Sequence, residues 1–263
     1  MTINKTPWAL VLGASSGFGE AIALELARAG MNIFGVHMDR YDQLQRVGEL
    51  ENKILALGRQ CQFVNGNAAL DDTRQECVQS LQQLTVAPPG TLRVLVHSIS
   101  YNAMKPLVGA EEVISRSQLQ LTSDVMAHSL IYWVQDCLRA GLLDRGARIF
   151  ALTSAGGARA LPNYGPAGGA KALLEAHIRQ LAVELAPAGI TANAILAGVT
   201  DSPTLRQNPK YERILEMAKI INPHKRITLP EDVARCIAVL SHPATYWMTG
   251  NVLHVDGGEN IVG

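Results

Sequence analysis

A chain of 263 residues, 48% hydrophobic and 17% charged, has the length and apolar content for one globular domain with a sizeable core. Lys plus Arg and Asp plus Glu balance at 23 each, which removes the electrostatic case for nucleic acid or an anionic membrane surface. No apolar run reaches the roughly 18–20 residues that cross a bilayer, and residues 1–7 lack the apolar core of a signal peptide. Cys61, Cys77, Cys137 and Cys236 lie far apart and form no CxxC. Free thiols in a reducing cytoplasm are therefore expected, with no disulfide. No His, Cys, Asp or Glu group has metal-ligand spacing, and no metal is expected.

The first element, 8–12, is a short apolar run that ends at a glycine loop. Ile22, Leu24, Leu26 and Ala27 have helical spacing and predict a helix over 17–29. A second strand is expected at 32–37, a helix at 44–57 and a third strand at 61–64. The helix expected at 71–84 has Asp71 or Asp72 as its N-cap. Pro88-Pro89-Gly90 is a turn, and 93–97 reads as a strand apolar on both faces, as a buried parallel strand requires. A long helix follows at 118–140, then a strand at 148–152, a helix at 166–186 and a strand at 191–196. The polar stretch 203–220 reads as a partly helical insertion, before a helix at 231–240 and a last strand at 252–255. Strands alternating with helices imply an α/β domain built on a doubly wound parallel sheet. Nothing rich in Pro, Gly or Ser splits the chain, so one domain over 1–263 is expected.

The loop Gly13-Ala14-Ser15-Ser16-Gly17-Phe18-Gly19 lies between the first strand and the first helix. Backbone N–H groups in such a turn can approach a pyrophosphate, which the helix N-terminus stabilises. The missing side chains at Gly13, Gly17 and Gly19 permit that approach and tight strand–helix packing. At the end of the second strand, where a ribose is read, His37 and Arg40 could face a 2′-phosphate, whereas Asp39 could bond ribose hydroxyls. The reading favours NADP(H) over NAD(H).

The G-x-x-x-G-x-G spacing resembles the short-chain dehydrogenase/reductase family, of Rossmann fold. Asn65-Gly66-Asn67-Ala68, Asn193-Ala194-Ile195 and Val255-Asp256-Gly257-Gly258 also match that family's patterns. Ordinary members carry Tyr-x-x-x-Lys. Here Ala167 stands four residues before Lys171 and can donate no proton, whereas Tyr164 stands seven before it. Steps of four and seven return to about the same helix face, and Pro166 marks the helix start, just after Tyr164. Tyr-x6-Lys is the pattern of the enoyl-acyl carrier protein reductases. Ala170-Lys171-Ala172-Leu173 and Val96-His97-Ser98-Ile99-Ser100-Tyr101 are similar to that branch, and Met126 fills the place where ketone-reducing members usually have Asn. Ser154 and the glycine loop resemble ordinary members, a mixture similar to a less common, NADPH-using bacterial enoyl reductase subgroup.

The resemblance implies Tyr164, Lys171 and Ser154 as catalytic residues, with Ser154 a second donor or merely a loop cap. It implies that Ser15, Ser16, Phe18, Asn67, Ala68, Ser98, Ile99, Gly198, Val199 and Thr200 line the dinucleotide, and that Ser202 meets its pyrophosphate. Ser100, Tyr101, Met104, Leu205 and Met217 would meet an acyl thioester on a carrier protein or coenzyme A, under a lid around 199–226 that also includes Ile214 and Ile220. A homotetramer paired through 118–140 and 166–186 and a role in fatty acid synthesis are further implications. His97, His128 and His177 are expected to be structural. Two alternatives stay open: a carbonyl reductase or alcohol dehydrogenase of the same family, and a non-catalytic NADP-binding sensor.

Overall fold

The computed structural model describes residues 6–85, 92–101 and 104–262. The strands are β1 (Trp8–Leu12), β2 (Asn32–His37), β3 (Cys61–Asn65), β4 (Leu92–His97), β5 (Arg148–Thr153), β6 (Thr191–Ala197) and β7 (Val252–Val255). They form one sheet in the order β3-β2-β1-β4-β5-β6-β7, with every pairing parallel. The fold is a single α/β domain of Rossmann type. After β3 the chain crosses to the far side of β1 and adds β4 there. That reversal opens a crevice at the carboxyl ends of β1 and β4, where such sheets take their ligands.

Helices cover both faces because each central strand is apolar on both. On β1, Trp8, Leu10 and Leu12 pack to one side, with Leu81, Leu130, Trp133 and Ile178. Ala9 and Val11 pack to the other, with Ile22, Leu50, Ile54 and Val233. The first side carries α3 (Asp71–Leu84), α4 (Arg116–Ser123), α5 (Ser129–Arg139) and α6 (Gly165–Leu185); the second carries α1 (Gly17–Arg28), α2 (Leu44–Ala56) and α9 (Pro230–Leu240). Two short helices, α7 (Pro203–Arg206) and α8 (Tyr211–Ile221), make up the insertion.

Most expected elements fall within a residue or two of their observed bounds, and two expectations need correction. Leu70, not Asp71 or Asp72, is the N-cap of α3; the two acids fill its first turn, where they complement the helix dipole. The expected long helix at 118–140 is α4 and α5 joined by one π-helical turn, Asp124–His128, and it starts earlier, at a capping box of Ser115 and Gln118. The Pro88-Pro89-Gly90 turn lies outside the described residues. Among the described residues, no helix is long and apolar enough to cross a membrane.

Candidate active site

The glycine loop is held by its neighbours' backbones. Gly13 and Ala14 donate N–H groups to the Val36 carbonyl at 2.8 and 3.1 Å, and Ser98 N donates to Leu12 O at 2.8 Å. A Cβ on Gly13 would lie 2.3 Å from Ser98 O, and one on Gly19 would lie 1.8 Å from Gly13 O. Gly17, at φ +55°, faces open space. Ser16 is the N-cap of α1 but its side chain makes no cap hydrogen bond. A helix start with free amides, beside an open glycine, fits a pyrophosphate.

Farther along the crevice, His37 is buried and its Nδ1 contacts Asp39 Oδ2 at 2.7 Å. Asn65 pins the same turn, accepting from Asp39 N and donating to Asp39 O, both at 3.0 Å. The expectation that His37 faces a phosphate therefore changes: its ring is turned in toward Asp39. Arg40 is exposed, with no ion-pair partner among the described residues. Asn67 Oδ1 accepts from Ala69 N, and Trp133 Nε1 donates to Ala68 O at 2.8 Å, so the Asn67–Ala68 turn is braced from α5.

The catalytic candidates converge at the head of α6. Asn163 takes a left-handed φ of +61°, which Asn tolerates better than most residues, and Tyr164 follows as the N-cap. The Tyr164 hydroxyl lies 3.2 Å from Ser154 Oγ, at the end of β5. Ser154 makes no side-chain cap bond to the turn after it. Gly156, which sequence reasoning missed, seats the tyrosine: a Cβ there would lie 2.2 Å from Tyr164 Cε1. Behind the ring, Met126, Ala167 and Ala170 form a small apolar cluster with Tyr164.

Lys171 is buried, and its Nζ donates to Leu152 O at 2.6 Å and Ile99 O at 3.4 Å. Burial pulls its pKa down to about 8. His97 lies fully buried nearby, with Nε2 2.8 Å from Ser129 Oγ and Nδ1 without a partner. Burial, then the Lys171 charge, pushes its pKa down to about 3, so the ring stays neutral. His128, at the end of the π-helical turn, and His177, on α6, contact one another at 3.1 Å.

Two side chains of the loop after β6 are held within the chain. Thr200 turns into the core and donates to Thr228 O at 2.8 Å. Ser202 Oγ accepts from Leu205 N at 3.2 Å and so caps α7, which leaves its hydroxyl proton to donate elsewhere. Ser100 Oγ lies 3.0 Å from Thr204 Oγ1, which ties the β4 loop to α7 across the crevice. Tyr101 and Met104 are exposed on that loop. A cavity of about 460 Å³ opens under α8, lined by Arg159, Val199, Ile214, Met217 and Glu259 among others. Leu205 does not line it, and Ile220 points to solvent.

A crevice at the sheet's switch point, a glycine loop on a helix N-terminus and a Ser–Tyr–Lys group define a dinucleotide-dependent oxidoreductase site of the short-chain kind. Comparison with known families agrees: the family described as Enoyl-(Acyl carrier protein) reductase matches residues 13–260. The chain belongs to that family. It is 31% identical to the 1-cyclohexenylcarbonyl-CoA reductase of Streptomyces collinus, over 99% of this chain and 89% of that one. The enoyl-acyl carrier protein reductase of Bacillus cereus, solved with NADP+ and indole naphthyridinone, superposes with a TM-score of 0.87 at 25% identity over all of both chains. A promiscuous reductase, LugOII, which catalyses keto-reduction at C1 during lugdunomycin biosynthesis, superposes with a TM-score of 0.83 at 25% identity, over 97% of this chain and 98% of that one.

Proposed function

We propose that this protein reduces the carbon–carbon double bond of an enoyl thioester, carried on coenzyme A or a carrier protein, with NADPH preferred over NADH. The observation that carries the reading is the Tyr164 hydroxyl at the head of α6, beside Ser154, with apolar Met126, Ala167 and Ala170 behind it. A bound nicotinamide dinucleotide supplies hydride. Gly13, Ser15, Ser16, Gly17, Phe18 and Gly19 hold its pyrophosphate, Asn67 and Ala68 its adenine, and Arg40 a 2′-phosphate. Lys171 holds the nicotinamide ribose, with Ser98 and Ile99 beside it and 198–200 along the ring.

As hydride reaches the β-carbon, negative charge gathers on the thioester oxygen. Tyr164 donates a hydrogen bond where that charge appears, and the Lys171 charge favours the same polarisation. The α-carbon then takes a proton from water, which completes addition across the double bond and leaves hydroxide to be neutralised by the solvent. A ketone reductase must replace the proton its tyrosine gives away. An apolar wall at Met126 suits a tyrosine that donates a hydrogen bond and keeps its proton. The insertion around 199–226 closes over the acyl group as a lid.

The test is a side-by-side assay of crotonyl and acetoacetyl thioesters with NADPH and NADH. Crotonyl turnover with NADPH is the expected result. Faster acetoacetyl turnover would favour the carbonyl reductase reading, which the Ser154–Tyr164 contact also fits. Tight binding of dinucleotide with no turnover of either thioester would favour the sensor. We further propose a tetramer paired through α4–α5 and α6, where Leu119, Leu121 and Val183 are exposed; light scattering measures it.

A further inference from the structure

The C-terminal turn carries a buried carboxylate that the proposed reaction leaves unused. Asp256 closes this turn, accepting from Gly258 N at 2.9 Å, Asn260 N at 3.1 Å and Asn260 Nδ2 at 2.7 Å. The turn presents Glu259, which is 9% exposed, to the loop after β6. Both carboxylate oxygens accept from Val199 N, at 3.2 and 3.1 Å. Neighbouring Gly198 has no room for a side chain: its Cβ would lie 2.2 Å from Thr228 Oγ1 and 3.0 Å from Glu259 Oε2. Two more elements hang from the same turn. Arg159, from the catalytic segment, donates to Asn260 O, and Asn222, at the end of α8, donates to Asp256 O at 2.9 Å.

We propose that Glu259 is a positioning residue: its carboxylate fixes the Val199 amide, and with it the loop along which the nicotinamide lies. The inference rests on the reading of 198–200 as that loop. Packing alone does not call for a carboxylate here. An apolar side chain would fill the space without desolvating a charge, and would leave the Val199 N–H unpaired. The C-terminal turn thereby links the nicotinamide loop, the catalytic segment and α8.

Charged and titratable groups face Glu259 from several sides. Asp256 shares its turn, and His254 on β7 lies 3.7 Å from Asp256. Arg159 comes from the catalytic segment, and Lys210 and Arg213 stand across the cavity. Burial, with the Asp256 charge, outweighs the Val199 and Asn222 hydrogen bonds and the Arg159 charge, and holds the Glu259 carboxyl above the usual carboxylate range. Protonation on the acid side therefore weakens the grip on Val199 before ordinary carboxylates titrate.

The test uses the full chain with Glu259→Ala and Glu259→Gln. It measures dinucleotide Kd by nicotinamide fluorescence, kcat and KM on crotonyl thioester across pH, and Tm. Glu259→Ala should raise Kd about ten-fold, the scale of a hydrogen bond to a charged group. Glu259→Gln keeps an acceptor for Val199, so it should restore most of that affinity and flatten the acid limb of the pH profile. Wild-type Kd, kcat and acid limb in Glu259→Ala would overturn the proposal, as would equal losses of Kd and Tm in both variants. A wild-type protein that binds neither dinucleotide would instead overturn the reading of the 198–200 loop, and the proposal with it.

Discussion

Two glycine clusters face the crevice, and they solve opposite problems. In the first, Gly13 and Gly19 let main chain press on main chain, and Gly17 opens onto empty space. In the second, Gly156 makes room for the ring of Tyr164, and Gly168 for the Gly156 carbonyl, where a Cβ would lie 2.5 Å away. In the proposed function the first cluster keeps a place for the dinucleotide, and the second is filled by the chain's own proposed donor, Tyr164. The contrast teaches that glycine richness leaves open space in one place and seats a side chain in the other.

Substitutions should separate the two clusters. Tyr164→Phe removes the proposed donor and should lower kcat by about 10²–10³-fold, the scale of one lost oxyanion contact. Dinucleotide Kd, read by fluorescence titration, should stay put. Gly156→Ala should follow it closely, because the new methyl group meets the Tyr164 ring at 2.2 Å. A Gly156→Ala enzyme with full turnover would erase the distinction between the clusters. Gly13→Ala should act the other way. Its φ of +84° and the 2.3 Å approach to Ser98 O should lower stability by about 1–3 kcal/mol, seen as a fall in Tm, and weaken dinucleotide binding.

The subtlest effect concerns pH. With its pKa near 8, Lys171 loses its charge as pH rises through that value. The kcat/KM for dinucleotide should fall over the same range, and Lys171→Arg, which does not titrate, should move that limb upward. Stability should change with the opposite sign. The unfolded chain holds the lysine proton to higher pH than the folded one, so Tm should rise between about 8 and the ordinary lysine range.

The central strands were legible in the sequence because strands buried on both faces are continuous apolar runs, and β1 and β2 fall on their expected bounds. Tyr164 and Lys171 stand out in the sequence as candidates because their spacing resembles that of the enoyl reductase branch. The His37–Asp39 contact was not legible, because spacing along a strand end does not say which way a ring turns. Gly156 was missed because its partner is a ring eight residues on, placed by a turn with a left-handed Asn163. Glu259 gave no signal, because its meaning depends on a β6 loop sixty residues away. The π-helical turn escaped because helical periodicity is blind to one extra residue.

That π-helical turn, Asp124–His128, absorbs one residue more than an α-helical turn while keeping the two halves of the rod in register. Five residues of π-helix sweep about the same arc as four of α-helix. Met126 therefore reaches Ala167 and Ala170 while Leu130 and Trp133 stay in the core. An unbroken α-helix through the same five residues would swing one half of the rod by roughly a quarter turn, and would give up either the wall behind the tyrosine or the packing that holds the sheet.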